Sequence, residues 1–158
     1  MKSKTSVLRG IGRVLRGGTL LLVEDNLADV LLLETALLEY DLSPELFVVT
    51  DGEQAIAYME DIDRAGKTCP DLFVPDLNLP KRSGLEVLQK IRSSRNCAET
   101  PVVVLSSQDS SQNREEAKRL GATAYLKKAL DFHDLLEIGS KLQALLHPNL
   151  PGEAPNPV

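Results

Sequence analysis

Three carboxylates stand at the ends of two apolar runs: Glu24 and Asp25 follow Leu20-Leu21-Leu22-Val23, and Asp76 follows Asp71-Leu72-Phe73-Val74-Pro75. Two later runs also end in polar groups, Val102-Val103-Val104-Leu105 in Ser106 and Ala124-Tyr125-Leu126 in the pair Lys127-Lys128. Acids gathered at one place repel, because two unit charges about 4 Å apart cost roughly 4 kcal/mol at an effective dielectric of 20. Such a group calls for a cation. All-oxygen ligands suit a hard ion, and magnesium binds through one or two carboxylates while leaving room for a phosphoryl oxygen. With a hydroxyl and an ammonium alongside, the set is equipped to handle a phosphoryl group.

The elements that must position these groups follow from the alternation of apolar runs with helical patterns. Leu20–Val23, Leu46–Val49, Leu72–Val74, Val102–Leu105 and Ala124–Leu126 read as five short strands, and their near-continuous apolar character marks a parallel sheet covered on both faces. Asn26 is expected to cap a helix through Tyr40, Asp51 one through about Arg64, and Ser83 one through Arg92, with Asp109 and Asp131 capping the last two. In an open parallel sheet, ligands bind beyond the carboxyl ends of the strands, which is where every polar group named above lies. The first helix is rich in leucine on all sides, and broad core burial is the expected reason. The fourth offers only Ala117 and Leu120 as anchors, so it is expected to open at low cost.

At 158 residues, with 42% hydrophobic and 26% charged residues, the chain fits one globular domain. No apolar run approaches the about 20 residues that span a bilayer, and Val7 to Leu15 lacks the continuous apolar stretch of an export signal, so a cytoplasmic location is expected. Residues 1–18 hold Lys2, Lys4, Arg9, Arg13 and Arg16 without an acid and read as a flexible basic extension. Residues 149–158 continue the proline-rich end as a disordered tail, leaving 19–148 as the domain. The body is thus more acidic than the net charge of −5 shows, which argues against direct nucleic-acid binding. Cys69 and Cys97 lack metal-site spacing and are expected to be reduced thiols. His133 and His147 are lone imidazoles that suggest no site.

Glu24-Asp25, Asp76 followed by Leu79-Pro80 and Ser83-Gly84, Ser106, Gly121-Ala122, and Tyr125 three residues before Lys128 together resemble the receiver domain of two-component response regulators. Val23-Glu24-Asp25-Asn26, Ala28-Asp29-Val30 and Asp76-Leu77-Asn78-Leu79-Pro80 are most similar to the single-domain regulators that serve phytochrome-type histidine kinases. The resemblance implies a doubly wound, flavodoxin-like α/β fold with five helices and a five-stranded parallel sheet in the order 2-1-3-4-5. It implies that Asp76 accepts a phosphoryl group from a histidine kinase, with Mg2+ held by Glu24, Asp25, Asp76 and the backbone carbonyl of Asn78. Lys128 would hold the phosphoryl oxygens, Ser106 and Tyr125 would act as switch residues, and Asn78 and Gln108 would tune autodephosphorylation. The chain would be a phosphoacceptor rather than an enzyme, its phosphorylated face binding a downstream protein or a second copy as a homodimer.

Two residues depart from that pattern. Pro75 precedes the nucleophile where an apolar residue with an N–H is usual, and it is expected to lie just past the strand end, where no ladder bond is lost. Ala129 follows Lys128 where receivers usually carry proline, often with a cis bond. A cis bond before alanine costs about 2.5–4 kcal/mol, so either strain persists or the loop is trans and Lys128 is repositioned, with Lys127 as a competitor. These departures favour an alternative, a degenerate receiver acting as a phosphorylation-independent interaction module. Gly66-Lys67-Thr68 echoes a P-loop but ends a helix instead of starting one. A haloacid-dehalogenase-like phosphatase would need a second carboxylate where Asn78 stands, and a flavin site would be repelled by Glu24-Asp25.

Overall fold

The five apolar runs form five parallel strands, and the segments between them form five helices, in a computed structural model that describes residues 18–148. In chain order these are β1 (Thr19–Val23), α1 (Leu27–Glu39), β2 (Glu45–Val49), α2 (Gly52–Ala65), β3 (Leu72–Pro75), α3 (Gly84–Ser93), β4 (Val103–Ser106), α4 (Ser111–Arg119), β5 (Ala124–Lys127) and α5 (Phe132–Leu146). Residues 1–17 and 149–158, where the basic extension and the proline-rich tail are expected, lie outside the described residues.

Alternate side chains of the central strands divide between two cores. Leu20, Leu22, Leu72, Val74, Val103 and Leu105 face α1 and α5, while Leu21, Val23, Phe73, Val102 and Val104 face α2, α3 and Ala117 of α4. The fold is therefore the doubly wound α/β arrangement expected. Asn26, Asp51, Ser83 and Asp131 cap their helices as read from the sequence. The cap of α4 is Ser110 and not Asp109: the Ser110 hydroxyl accepts from Asn113 N, while Asp109 pairs with Arg114 at 3.2 Å. Gly66 closes α2 in the left-handed conformation at φ 63°, which disposes of the P-loop echo.

The sheet runs β2-β1-β3-β4-β5, but its ladder is interrupted. β2, β1 and β3 form one hydrogen-bonded leaf and β4 and β5 another, joined by bridges at Phe73–Val102 and Asp76–Leu105. Phe73 N donates to the Pro101 carbonyl and Leu77 N to the Leu105 carbonyl. The intervening donor toward the Val103 carbonyl would come from residue 75, which is proline. Pro75 is the last residue of β3, in register with Val23, so the expectation that it falls beyond the strand is corrected. A ladder bond is lost, and the sheet divides there.

Two further expectations are corrected. Cys69 and Cys97 are joined as a disulfide, with Cα atoms 5.7 Å apart. The loops before β3 and β4 are brought together because Asp63 of α2 accepts from the Ser94 hydroxyl and from the N–H groups of Arg95 and Asn96, a convergence that spacing alone does not show. The leucines of α1 are not broadly buried. Val30, Leu33, Ala36 and Leu37 enter the core, whereas Leu27 is 72% and Leu31 52% exposed, with Leu32 and Leu38 also open to solvent. One helix facing one sheet can bury only a stripe.

Candidate functional site

Strand ends bring the acids together. The Glu24 N–H donates to the Val49 carbonyl and the Asp76 N–H to the Val23 carbonyl, which extends β1 and β3 by one residue and aligns their acids side by side. Glu24, Asp25 and Asp76 each offer a carboxylate oxygen within 4.8 Å of the others. Glu24 and Asp76 are buried and Asp25 is exposed, so the group opens to solvent on one side. Asp76 Oδ1 accepts from Asn78 N at 3.2 Å, and Glu24 Oε1 from Asn26 N at 3.1 Å. Glu24 Oε2 is buried and receives no well-directed hydrogen bond, although an ammonium lies 2.9 Å away.

That ammonium belongs to Lys128. Its Nζ lies 2.9 Å from Asp76 Oδ2, 2.9 Å from Glu24 Oε2 and 2.7 Å from Asp29 Oδ2. Among the described residues no peptide bond is cis, so the loop takes the trans alternative at Ala129. Lys128 still reaches the nucleophile position, because its N–H donates to the Ser106 carbonyl at 2.7 Å and ties the end of β5 to β4. Lys127, the possible competitor, is exposed at the β5 end, in register with Ser106.

Burial and charge set the protonation of this cluster. Burial pushes the Glu24 carboxyl up to about 7, against the Lys128 and Asn26 bonds that favour its charged form. Burial also opposes the charge on Lys128, but its bonds to Asp29, Asp76 and Glu24 outweigh it and hold the ammonium above its ordinary range. A cluster with more anions than cations, one of them resisting ionisation, is suited to a divalent ion. The three converging carboxylate oxygens, open to solvent on the Asp25 side, fit magnesium.

The hydroxyl and the aromatic ring meet nearby. Ser106 Oγ donates to the Gln108 carbonyl at 3.0 Å and accepts from Gln108 N at 3.1 Å. The Tyr125 hydroxyl donates to the same carbonyl at 3.3 Å. Arg114 of α4 lies over the Tyr125 ring, 4.8 Å from its centroid, and donates to the Tyr125 carbonyl. All the predicted site residues thus gather at one end of the sheet. Asp29 and Arg114 are additions that strand-end reasoning misses, since both sit on helices; the acid at the first turn of α1 was visible only as part of the Ala28-Asp29-Val30 motif.

Residues 20–139 match the response regulator receiver domain. The chain belongs to this family. It is 32% identical over 120 residues to the response regulator Rcp1 of Synechocystis sp., covering 75% of this chain and 82% of Rcp1. A crystal structure of the Mn(2+)-bound form of Rcp1 superposes with a TM-score of 0.71 at 29% identity, covering 87% of this chain and 99% of that one. The phosphorylated cyanobacterial phytochrome response regulator RcpA superposes with a TM-score of 0.73 at 32% identity, covering 85% and 97%. The bacteriophytochrome response regulator RtBRR gives 0.67 at 35% identity, covering 88% and 84%. The receiver described here is therefore related to phytochrome-associated response regulators, and its signalling partner class is the histidine kinase. Among its described residues no helix is long and apolar enough to cross a membrane.

Proposed function

We propose that the chain is a stand-alone phosphoacceptor switch, phosphorylated on Asp76 by a histidine kinase of phytochrome type. The observation that carries this reading is the 2.9 Å contact of Lys128 Nζ with Asp76 Oδ2 inside a three-carboxylate cluster. A carboxylate oxygen of Asp76 attacks the phosphorus of a phosphohistidine, forming the O–P bond as the N–P bond breaks. Lys128 meets the incoming phosphoryl oxygens as a point charge. Glu24, Asp25, Asp76 and the Asn78 carbonyl would hold Mg2+, which neutralises charge on the transferring group. The relatives support both features, since RcpA is known in a phosphorylated form and Rcp1 in a Mn(2+)-bound form.

Once the phosphoryl group is in place, Ser106 turns from the Gln108 carbonyl toward it, and Tyr125 loses its companion there. Ala117 is the one buried residue of α4, so little packing resists the resulting shift of the α4-β5-α5 face. That face would bind a downstream protein or a second copy of the chain. Asn78 and Gln108, both neutral amides, would set a slow self-catalysed hydrolysis; the chain is otherwise no enzyme. We assign the receiver to 19–148 and read it as cytoplasmic, where the Cys69–Cys97 bond would be open to reduction.

The degenerate-receiver alternative draws on the ladder break at Pro75. Acetyl phosphate with Mg2+, followed by intact mass, separates the two readings: the switch gives a magnesium-dependent adduct that Asp76→Asn abolishes. No adduct, or one of equal yield in Asp76→Asn, overturns it.

A further inference from the structure

We propose that Asp29 is the positioning residue for Lys128, holding the ammonium beside Asp76 once the backbone bond to Ser106 has brought the end of β5 to the site. The inference rests on the phosphoacceptor reading of Asp76. Of the three carboxylates around Lys128 Nζ, Asp29 is the nearest, at 2.7 Å. It comes from a different element from the others: Asn26 caps α1 through Ala28 N, and Asp29 follows in the first turn, directed across to the β5 end. The pair is largely screened from water, with side-chain exposures of 25% for Asp29 and 15% for Lys128. One flank is a small apolar cavity lined by Leu32, Leu33, Leu105, Ala129 and Leu135, so its attraction is stronger than that of a surface pair.

Asp29 is also outside the metal-competent cluster of Glu24, Asp25 and Asp76. A divalent cation held there would draw on the carboxylates of Glu24 and Asp76, the same two groups that Lys128 contacts. Asp29 is then the partner that remains. Without it, the flexible four-carbon stem of Lys128 is free to leave the pocket when the metal site fills, and the nucleophile loses its cation when it is needed.

The test reads Lys128 directly. Acylation of the full chain with an N-hydroxysuccinimide ester in saturating Mg2+, mapped by peptide mass, should show Lys128 modified about tenfold faster in Asp29→Asn than in the unsubstituted protein. Lys90 and Lys141, which make no contact with the site, should be unchanged, and Asp29→Glu should restore protection. Accumulation of the Asp76 adduct from acetyl phosphate should slow about tenfold in Asp29→Asn and recover in Asp29→Glu. Unchanged labelling of Lys128 in Asp29→Asn overturns the proposal, even if phosphorylation slows. If the unsubstituted protein forms no adduct, the phosphoacceptor reading fails while the labelling still decides the role of Asp29.

Discussion

Ser106 and Tyr125 donate to one acceptor, the backbone carbonyl of Gln108, at 3.0 and 3.3 Å. The two residues therefore share one anchor in the β4–α4 loop, and the state of either is felt by the other through a single peptide unit.

Removing the two hydroxyls should have unequal effects. Tyr125→Phe forfeits one hydrogen bond, about 0.5–1.5 kcal/mol. Ser106→Ala also leaves Gln108 N without its acceptor in a partly buried site, which raises the cost to about 1–3 kcal/mol. Urea unfolding should rank them in that order, and amide exchange across residues 108–120 should quicken in both.

Stability without metal should fall as pH rises from about 4.5 to about 7. Glu24 has its folded-state pKa raised from 4.5 to about 7, chiefly by burial, so within that window the folded protein holds a proton that the unfolded chain has released. Folding is then favoured at the acid end of the window, and that advantage is gone above pH 7. Mg2+ binds the ionised form, so saturating Mg2+ should flatten this slope, and magnesium affinity should weaken as pH drops below 7. Denaturation at four pH values with and without Mg2+ measures both; a slope indifferent to Mg2+ would remove Glu24 from the metal site.

Pro75→Val should stabilise the fold by about 1 kcal/mol. The substitution supplies the N–H that the Val103 carbonyl lacks, a net gain of about 1 kcal/mol plus relief of a buried acceptor. It also frees the unfolded chain, which takes back about 0.4–1 kcal/mol. A lower midpoint in urea would show that the gap between the leaves has another partner for Val103.

Reduction of Cys69–Cys97 should cost about 3–4 kcal/mol on the chain-entropy account, given a sequence separation of 28. Because the bond lies before β3 and β4, at the end of the sheet away from Asp76, the rate of Asp76 phosphorylation should hold. Cys69→Ser with Cys97→Ser, compared with dithiothreitol treatment by thermal melting and mass, checks both parts.

Gly84→Ala should disturb the nucleophile from behind. A Cβ at Gly84 would collide with the Asp76 carbonyl and lie 2.9 Å from Leu77 Cα, contacts with backbone that cannot turn aside. A loss of about 2 kcal/mol or more, with slower adduct formation, is expected.

The strands, the acid cluster and the caps of every helix but α4 are legible in the sequence because each depends on local pattern: strand-end acids, capping side chains and apolar alternation. What escaped depends on which elements meet. Asp29 touches Lys128 across 99 residues, Cys69 and Cys97 converge through Asp63 of α2, and Arg114 reaches Tyr125 from α4. Pro75 stands out in the sequence, but its place opposite the Val103 carbonyl is a property of the assembled sheet. The exposed leucines of α1 escaped for the same reason, since the side of a helix that receives the sheet is settled by packing.

The break at Pro75 also divides the chemistry. The leaf of β2, β1 and β3 ends in the carboxyl groups of Glu24, Asp25 and Asp76, while the leaf of β4 and β5 ends in Ser106 and Lys128 and carries the only cation in contact with Glu24 and Asp76 among the described residues. Across a seam with one rung missing, Coulomb attraction stands in for backbone bonding as the clasp between two half-sheets. Any change in the charge of Asp76 is therefore also a change in the attraction across that seam.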